Sequence, residues 1–135
     1  MKLDLALIAD AATVDSSGKL NVLGIFDHIA AAEFPARHER MCLVLRFSAM
    51  AGESGEHEVE VVVRDPEGEE LARMSGSIGL GVYMGGEGVR IPQVLHLDGF
   101  VFPQPGNYQI EVAIDGQVED RLSLQLSRVA RIPEA

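Results

Sequence analysis

Apolar and polar side chains alternate strictly in residues 108–115 of this chain. The apolar positions are Tyr108, Ile110, Val112 and Ile114. Because successive side chains of a strand point to opposite faces, this period of two predicts a half-buried β-strand. The dipeptide Asp115-Gly116 follows directly and predicts a turn that starts a hairpin.

Comparable segments recur along the chain, separated by turn residues. They predict strands at residues 3–14, 20–29, 41–49 and 89–97, and one strand on each side of the turns at 65–68 and 115–116. The fold class predicted is all-β, a single antiparallel β-sandwich of about eight strands. The domain would span residues 1–130 and be followed by a C-terminal tail at 131–135. Residues 33–40 would form a longer crossover with room for one helical turn.

The segment Asp65-Pro-Glu-Gly68 has the residues of a type I turn. If Gly68 adopts the left-handed conformation of a bulge, the register of the hairpin follows. The predicted cross-strand partners are Asp65 with Glu69, Arg64 with Glu70 and Val63 with Leu71.

The two strands of the last hairpin cannot pair across a two-residue loop without a bulge. Such a loop would place Val112 opposite Glu119 and Ile110 opposite Arg121, whereas the apolar residues of the final strand begin at Leu122. Direct partners share a face of the sheet, so we expect a three-residue loop or a bulge near residues 118–120. In strand 89–97, Pro92 predicts a sheet edge or a bulge.

Composition and charge narrow the function classes. The chain has 135 residues, one cysteine, Cys42, and a net charge of −10. A lone cysteine forms no internal disulfide, and the acidic charge argues against nucleic acid as a partner. Asp4 and Asp10 interrupt the apolar N-terminus, and no apolar run has membrane-spanning length. We therefore expect a cytoplasmic protein with no membrane partner.

Residues 51–70 hold eight acidic side chains and one arginine, a local charge of −7. Glu67 and Glu69 are the candidate contacts of this hairpin. Calcium binding is one interpretation, although the EF-hand pattern is missing. A second is docking onto a basic partner. The third, which we prefer, is that the charges prevent edge-to-edge pairing of a solvent-facing hairpin.

No motif in the sequence supports catalysis, a metal or a cofactor. The Gly-rich segment 79–88 lacks the following helix that a nucleotide loop requires, and Ser75-Gly-Ser77 lacks the first glycine of a nucleophile elbow. The four histidines do not cluster, and one cysteine cannot build a thiolate metal site. We expect no enzyme activity.

Two loops are candidates for contact with a small ligand or an anion. Arg37, His38 and Arg40 form a local basic group in the 33–40 crossover, and Tyr83 lies in the 79–88 loop. Glu33 and Glu39 partly neutralise the basic group.

Three segments carry a resemblance to a known family: residues 18–29, beginning Gly-Lys-Leu-Asn-Val, Phe34-Pro-Ala-Arg-His38, and residues 41–47. They resemble an uncharacterised family of short bacterial proteins described as a domain of unknown function. The resemblance implies a stand-alone β-sandwich and no catalytic residue. Residues 105–126 are similar to the closing hairpin of immunoglobulin-like domains, in which a tyrosine bonds back to nearby backbone. Tyr108 is the equivalent residue, which makes the predicted sandwich immunoglobulin-like.

These observations together predict a non-catalytic protein-interaction or assembly module. Its partner would be another protein or a second copy, since such a domain can pair edges or faces as a homodimer. The alternative is a sandwich that binds a small ligand or anion through the 79–88 and 33–40 loops.

Overall fold

Strands account for all the regular structure in the computed structural model, which describes residues 1–50, 52–53, 55–80 and 88–130. No helix occurs in these ranges, and therefore none that could cross a membrane. The strands are β1 (Lys2–Val14), β2 (Leu20–Ile25), β3 (His28–Ala31), β4 (Ala36–His38), β5 (Cys42–Ala49), β6 (Gly55–Arg64), β7 (Glu70–Leu80), β8 (Val89–His96), β9 (Phe100–Phe102), β10 (Gly106–Ile114) and β11 (Gln117–Arg128). The predicted tail at 131–135 lies outside the described residues.

Two sheets form the layers of a sandwich. One has the strand order β2-β1-β5-β8 and the other the order β3-β11-β10-β6-β7, while β4 and β9 form a small sheet of their own. The predicted all-β sandwich is confirmed. Two details of the prediction are wrong: the described residues form eleven strands rather than about eight, and β3 pairs with β11 in parallel.

Side chains from both large sheets form the buried core. Tyr108, Ile110 and Val112 of β10 are at most 1% exposed, as their alternation predicted. From the other sheet, Leu43, Leu45 and Phe47 of β5 are equally buried. Burying a large apolar side chain stabilises the fold by about 1.5–3 kcal/mol, so this interface between the layers dominates stability.

The predicted strand 20–29 is two strands that belong to different sheets. β2 pairs with β1 in the first sheet, and β3 pairs with β11 in the second, so the chain crosses between the layers at Phe26 and Asp27. Just before the crossing, Gly24 has a φ of +73°, and a Cβ there would collide with the Asp10 side chain. Only glycine accepts this conformation readily, so Gly24 allows the chain to leave the first sheet.

The hairpin of β6 and β7 follows most of its predicted register. Gly68 has a φ of +85°, the Asp65 N–H donates to the Glu69 carbonyl at 2.9 Å, and Arg64 lies opposite Glu70. The predicted pairing of Val63 with Leu71 is wrong. Val63 pairs with Ala72, because the register shifts next to Arg64 and leaves Leu71 unpaired.

The hairpin of β10 and β11 contains the bulge that its side-chain pattern predicted. Ile114 pairs with Gln117 across the two-residue loop, and Ala113 pairs with Val118. Val112 then pairs with Asp120, so Glu119 is the extra residue. Beyond this bulge, β10 and β11 place their apolar residues opposite one another: Ile110 with Leu122 and Tyr108 with Leu124.

Pro92 lies in an edge strand, as predicted, because β8 pairs with β5 and with no other strand of the described residues. The helical turn considered for the crossover is wrong, because Ala36–His38 forms β4 and pairs with β9. β9 itself was not predicted.

Candidate interaction surface

Arg37, in the basic group of the crossover, is already engaged by groups of the fold. Its Nε donates to the Gly99 carbonyl at 3.4 Å, and its guanidinium lies 3.7 Å from the Glu39 carboxylate. The side chain remains largely exposed, so these contacts are weak.

His38 and Arg40 do not join Arg37 in a common pocket. The His38 ring packs on Phe26 with ring centroids 5.6 Å apart. Arg37 and His38 are neighbours in β4 and point to opposite sides of it, and Arg40 is exposed beyond the end of the strand. The structure therefore does not assemble the predicted anion site at 33–40. Tyr83, the candidate of the other loop, lies outside the described residues.

The acidic hairpin uses its carboxylates locally. Asp65 Oδ1 accepts hydrogen bonds from the backbone N–H groups of Glu67 and Glu69, each at 2.9 Å, which holds the turn. The side chains of Glu67 and Glu69 are exposed. Arg73 of β7 forms ion pairs with Glu60 and Glu70, and its hydrogen bond lowers the pKa of Glu70. Part of the charge that the sequence concentrates at 51–70 is thus neutralised by the next strand.

A second ion-pair network lies on the outer face of the five-stranded sheet. Glu111 of β10 accepts from Arg64 Nε at 2.5 Å and from Arg121 Nε at 2.8 Å, so one carboxylate links three neighbouring strands. The hydrogen bond from Arg64, followed by that from Arg121, holds the pKa of Glu111 below its ordinary value. Both oxygens of the Glu111 carboxylate are therefore used in holding the strands together.

The remaining candidates for reactive chemistry are metal-ligand clusters and the single cysteine. No three side chains of His, Cys, Asp or Glu converge there as metal ligands. Cys42 is 1% exposed with its Sγ 3.4 Å from the Ala9 carbonyl, and burial raises the pKa of its thiol. Cys42 is therefore the small packed side chain that the sequence indicated.

Each histidine among the described residues has separate surroundings. His57 Nδ1 lies 2.7 Å from Asp115 Oδ2, and its Nε2 lies 2.7 Å from the Glu53 carbonyl. The hydrogen bond with His57 lowers the pKa of Asp115. His28 Nε2 lies 2.8 Å from Ser127 Oγ, which joins β3 to β11. These contacts tie strands and loops together rather than converge on a ligand.

Tyr108 makes the backbone contact predicted from its resemblance to immunoglobulin-like domains. Its hydroxyl donates to the Gln104 carbonyl at 2.6 Å and accepts from the Gln104 N–H at 3.1 Å. The ring is fully buried and packs edge-on against Phe102, with centroids 5.0 Å apart. Burial raises the pKa of this phenol.

The most exposed large apolar side chains of the described residues lie on β2. Leu23 is 72% exposed and Ile25 is 65% exposed. β2 is an edge strand, bonded to β1 on one side only, and its sequence Leu-Asn-Val-Leu-Gly-Ile contains no charge. We call this strand, Leu20–Ile25, the β2 edge.

A second apolar cluster lies beside the β2 edge on the outer face of the four-stranded sheet. Leu43 and Leu45 of β5 point into the core, so Cys42 and Val44, which alternate with them, point away from it. Yet Val44 is fully buried. The outer apolar cluster consists of Leu7, Ala9, Ala12, Leu20, Val22, Cys42, Val44 and Val94. A sheet face that met only water would ordinarily carry polar residues here.

Neither of these surfaces was predicted, although the sequence contains signals for both. Residues 41–45 are continuously apolar instead of alternating, which indicates a strand covered on both faces. The uncharged segment 20–25 lies next to a turn, where a solvent-facing strand usually carries a charge.

The family assignment rests on a match along most of the chain. A family model described as "Family of unknown function (DUF6941)" matches residues 4–127. The chain belongs to this family. The match confirms the resemblance to an uncharacterised family that the N-terminal segments carried. A search of the curated proteins finds no match.

Two solved structures are similar to the DUF6941 domain. The alkylpurine DNA glycosylase AlkC of Pseudomonas fluorescens, bound to DNA containing an abasic site analog, is 16% identical with a TM-score of 0.43. That match covers 90% of this chain but only 30% of the glycosylase. An immunoglobulin-like protein from Pseudomonas aeruginosa is 11% identical with a TM-score of 0.41, and the match covers 93% of this chain and 94% of the other.

Proposed function

We propose that this domain is a non-catalytic protein-interaction or assembly module that contacts its partner through the β2 edge. The observation that carries the proposal is the exposure of Leu23 and Ile25 on an uncharged edge strand. An edge strand presents unpaired backbone N–H and C=O groups, and it can bind another strand by extending the sheet. Exposed apolar side chains on the same strand add buried area to such a contact.

The other edges of the two large sheets differ from β2 in ways that discourage pairing. β8 contains Arg90 and Pro92, and β7 contains Glu70 and Arg73. β3 is only four residues long. Charges, proline and short length are the devices by which proteins protect sheet edges. β2 has neither charge nor proline, so it is the edge best suited to a partner.

The outer apolar cluster extends the proposed contact beyond a single strand. Leu20 and Val22 of β2 belong to this cluster, together with Leu7 of the adjacent strand β1, and the cluster continues across the sheet to Val94 of β8. A partner strand added at the β2 edge would lie beside Leu20 and Val22, and its side chains would continue the apolar face. Contiguous apolar surface of this kind is typical of a protein contact.

A second copy of the chain is the partner to test first. Two β2 edges related by a two-fold axis would pair antiparallel, with the same residues on both sides. The four-stranded sheet would then continue across the dimer, and no other protein would be needed.

Sedimentation velocity over a range of protein concentrations tests this proposal. We expect the wild type to form a dimer and Leu23→Lys to weaken the association by about tenfold or more, because a charge on the edge opposes pairing. Val101→Lys is the matched control: Val101 is 48% exposed on β9, which belongs to the small β4–β9 sheet and not to the sheet of β2, and its substitution should not change the association.

Affinity purification from the native host extends the test to other partners. A protein retained by the wild type and by Val101→Lys, but not by Leu23→Lys, would identify a heterologous partner at the same surface. A wild type that is monomeric at every concentration and retains no such protein would refute the proposal.

A further inference from the structure

A cavity of about 130 Å³ lies between the two large sheets, at the open side of the sandwich between β7 and β8. Its walls come from β5, β6, β7 and β8 and include Leu45, Phe47, Val61, Met74 and Leu95. The described residues that line it include none with a charge.

Gly76 creates the opening on the β7 side. Met74 and Ile78, two residues to either side, pack against the core, so Gly76 occupies an inward-facing position of the strand. A Cβ at Gly76 would have no atom of the described residues within 4 Å, and its φ lies outside the left-handed region. The backbone therefore does not require glycine here, and its effect is to leave space inside the sandwich.

Gln93 occupies the corresponding position on β8. It pairs with Leu45, and its neighbours Ile91 and Leu95 pack against the core, so Gln93 lies on the inner face. Its side chain is exposed because it stands at the mouth of the cavity. The amide places one hydrogen-bond donor group and one acceptor at the rim. The other polar residues of the described lining, Ser75 and Ser77, occupy outward-facing positions of β7 on either side of Gly76.

We propose that this cavity binds a small uncharged molecule whose apolar part is about the size of a benzene ring. One hydroxyl or carbonyl group of the molecule would reach the Gln93 amide. Apolar cavities of about 150 Å³ accept benzene, so the volume here suits a single ring. A charged ligand is excluded because its desolvation would find no opposite charge in the lining. The site is independent of the β2 edge.

Three probes separate the parts of the proposal: benzyl alcohol, toluene and benzoate. Binding is followed by two-dimensional NMR of the methyl groups of the full chain. We expect saturable shifts at Val61, Met74 and Leu95 with benzyl alcohol, weaker binding of toluene and none of benzoate. Gln93→Leu should abolish the preference for benzyl alcohol over toluene, because it removes the polar group at the rim.

Two glycine variants provide the decisive comparison. Gly76→Val fills the cavity and should weaken binding by about tenfold or more. Gly79→Val is the matched control, since a Cβ at Gly79 also meets none of the described atoms within 4 Å but occupies an outward-facing position of the same strand. It should bind as the wild type does. Gly76→Ala, the smaller change, should give an intermediate affinity.

Several results would overturn the proposal. These are shifts that do not saturate with either neutral probe, unchanged binding in Gly76→Val, and benzoate binding as tight as that of benzyl alcohol. The thermal midpoint of Gly76→Val, expected to be at least that of the wild type, verifies that lost binding reflects a filled cavity and not an unfolded chain.

Discussion

Replacing Tyr108 by phenylalanine tests one contact that spans the turn between β9 and β10. The substitution keeps the buried ring and its edge-on contact with Phe102, and it removes only the hydroxyl. Two hydrogen bonds are lost, at 2.6 Å and 3.1 Å, both to the backbone of Gln104. Gln104 is half-buried, so water replaces these bonds only in part.

The magnitude follows from these two bonds. A lost bond that leaves a partner poorly solvated costs about 1–3 kcal/mol, and we expect a loss near 2 kcal/mol in the free energy of unfolding. For a domain of this size that corresponds to a thermal midpoint lower by roughly 6–10 °C. The urea dependence of unfolding should keep its slope, because the buried area hardly changes.

The raised pKa of Tyr108 adds a pH dependence to this prediction. The folded state favours the neutral phenol, so the contribution of the hydroxyl is complete below the pKa of an unfolded tyrosine, about 10. It is lost as the pH rises beyond that value, because the unfolded chain then releases the proton first. The stability difference between wild type and Tyr108→Phe should shrink at such pH.

Urea unfolding followed by circular dichroism measures both effects. Gln104→Ala is the control, since the bonds use the backbone of Gln104 and not its side chain, and it should leave stability nearly unchanged. A Tyr108→Phe variant within about 0.5 kcal/mol of the wild type would refute the reasoning, as would an equal loss in Gln104→Ala.

Three further predictions concern other parts of the fold. Glu111→Gln should lower stability by about 0.5–1 kcal/mol at neutral pH. Since the pKa of Glu111 is lowered, urea midpoints of the two proteins should converge as the pH falls through that pKa. Gly24→Ala should cost about 1–2 kcal/mol in calorimetry because of its left-handed φ, whereas Gly79→Ala should not. Cys42 should react with a thiol reagent no faster than the protein unfolds; rapid labelling of the native state would contradict its burial.

Sequence reasoning succeeded where the signal was local. The alternation from Tyr108 to Ile114 fixed one strand, and the mismatch of Ile110 with Arg121 required the bulge now seen at Glu119. The turn that ends at Gly68 was also predicted correctly, because the residues Asp65-Pro-Glu-Gly68 favour one turn type. Such features depend on neighbours in the chain, which the sequence displays directly.

Features that depend on distant partners could not be predicted in this way. Residues 20–29 look like one apolar strand, and nothing local indicates that the chain changes sheets at Phe26. The pattern also cannot distinguish an apolar residue that faces the core from one on an open edge, so Leu23 was not recognised. Gly76 and Gln93 are far apart in the sequence, and only the packing of the two sheets places them at one cavity.

Hydrogen exchange at the β2 amides tests the proposed contact most directly. The measurement compares residues 20–25 with residues 89–96 of β8, an edge strand expected to stay free, at low and high protein concentration and with any partner captured from the host. We expect slower exchange in β2 alone when the partner is present. Unchanged exchange in β2, or protection of β8 instead, would contradict the claim that this domain works through its β2 edge.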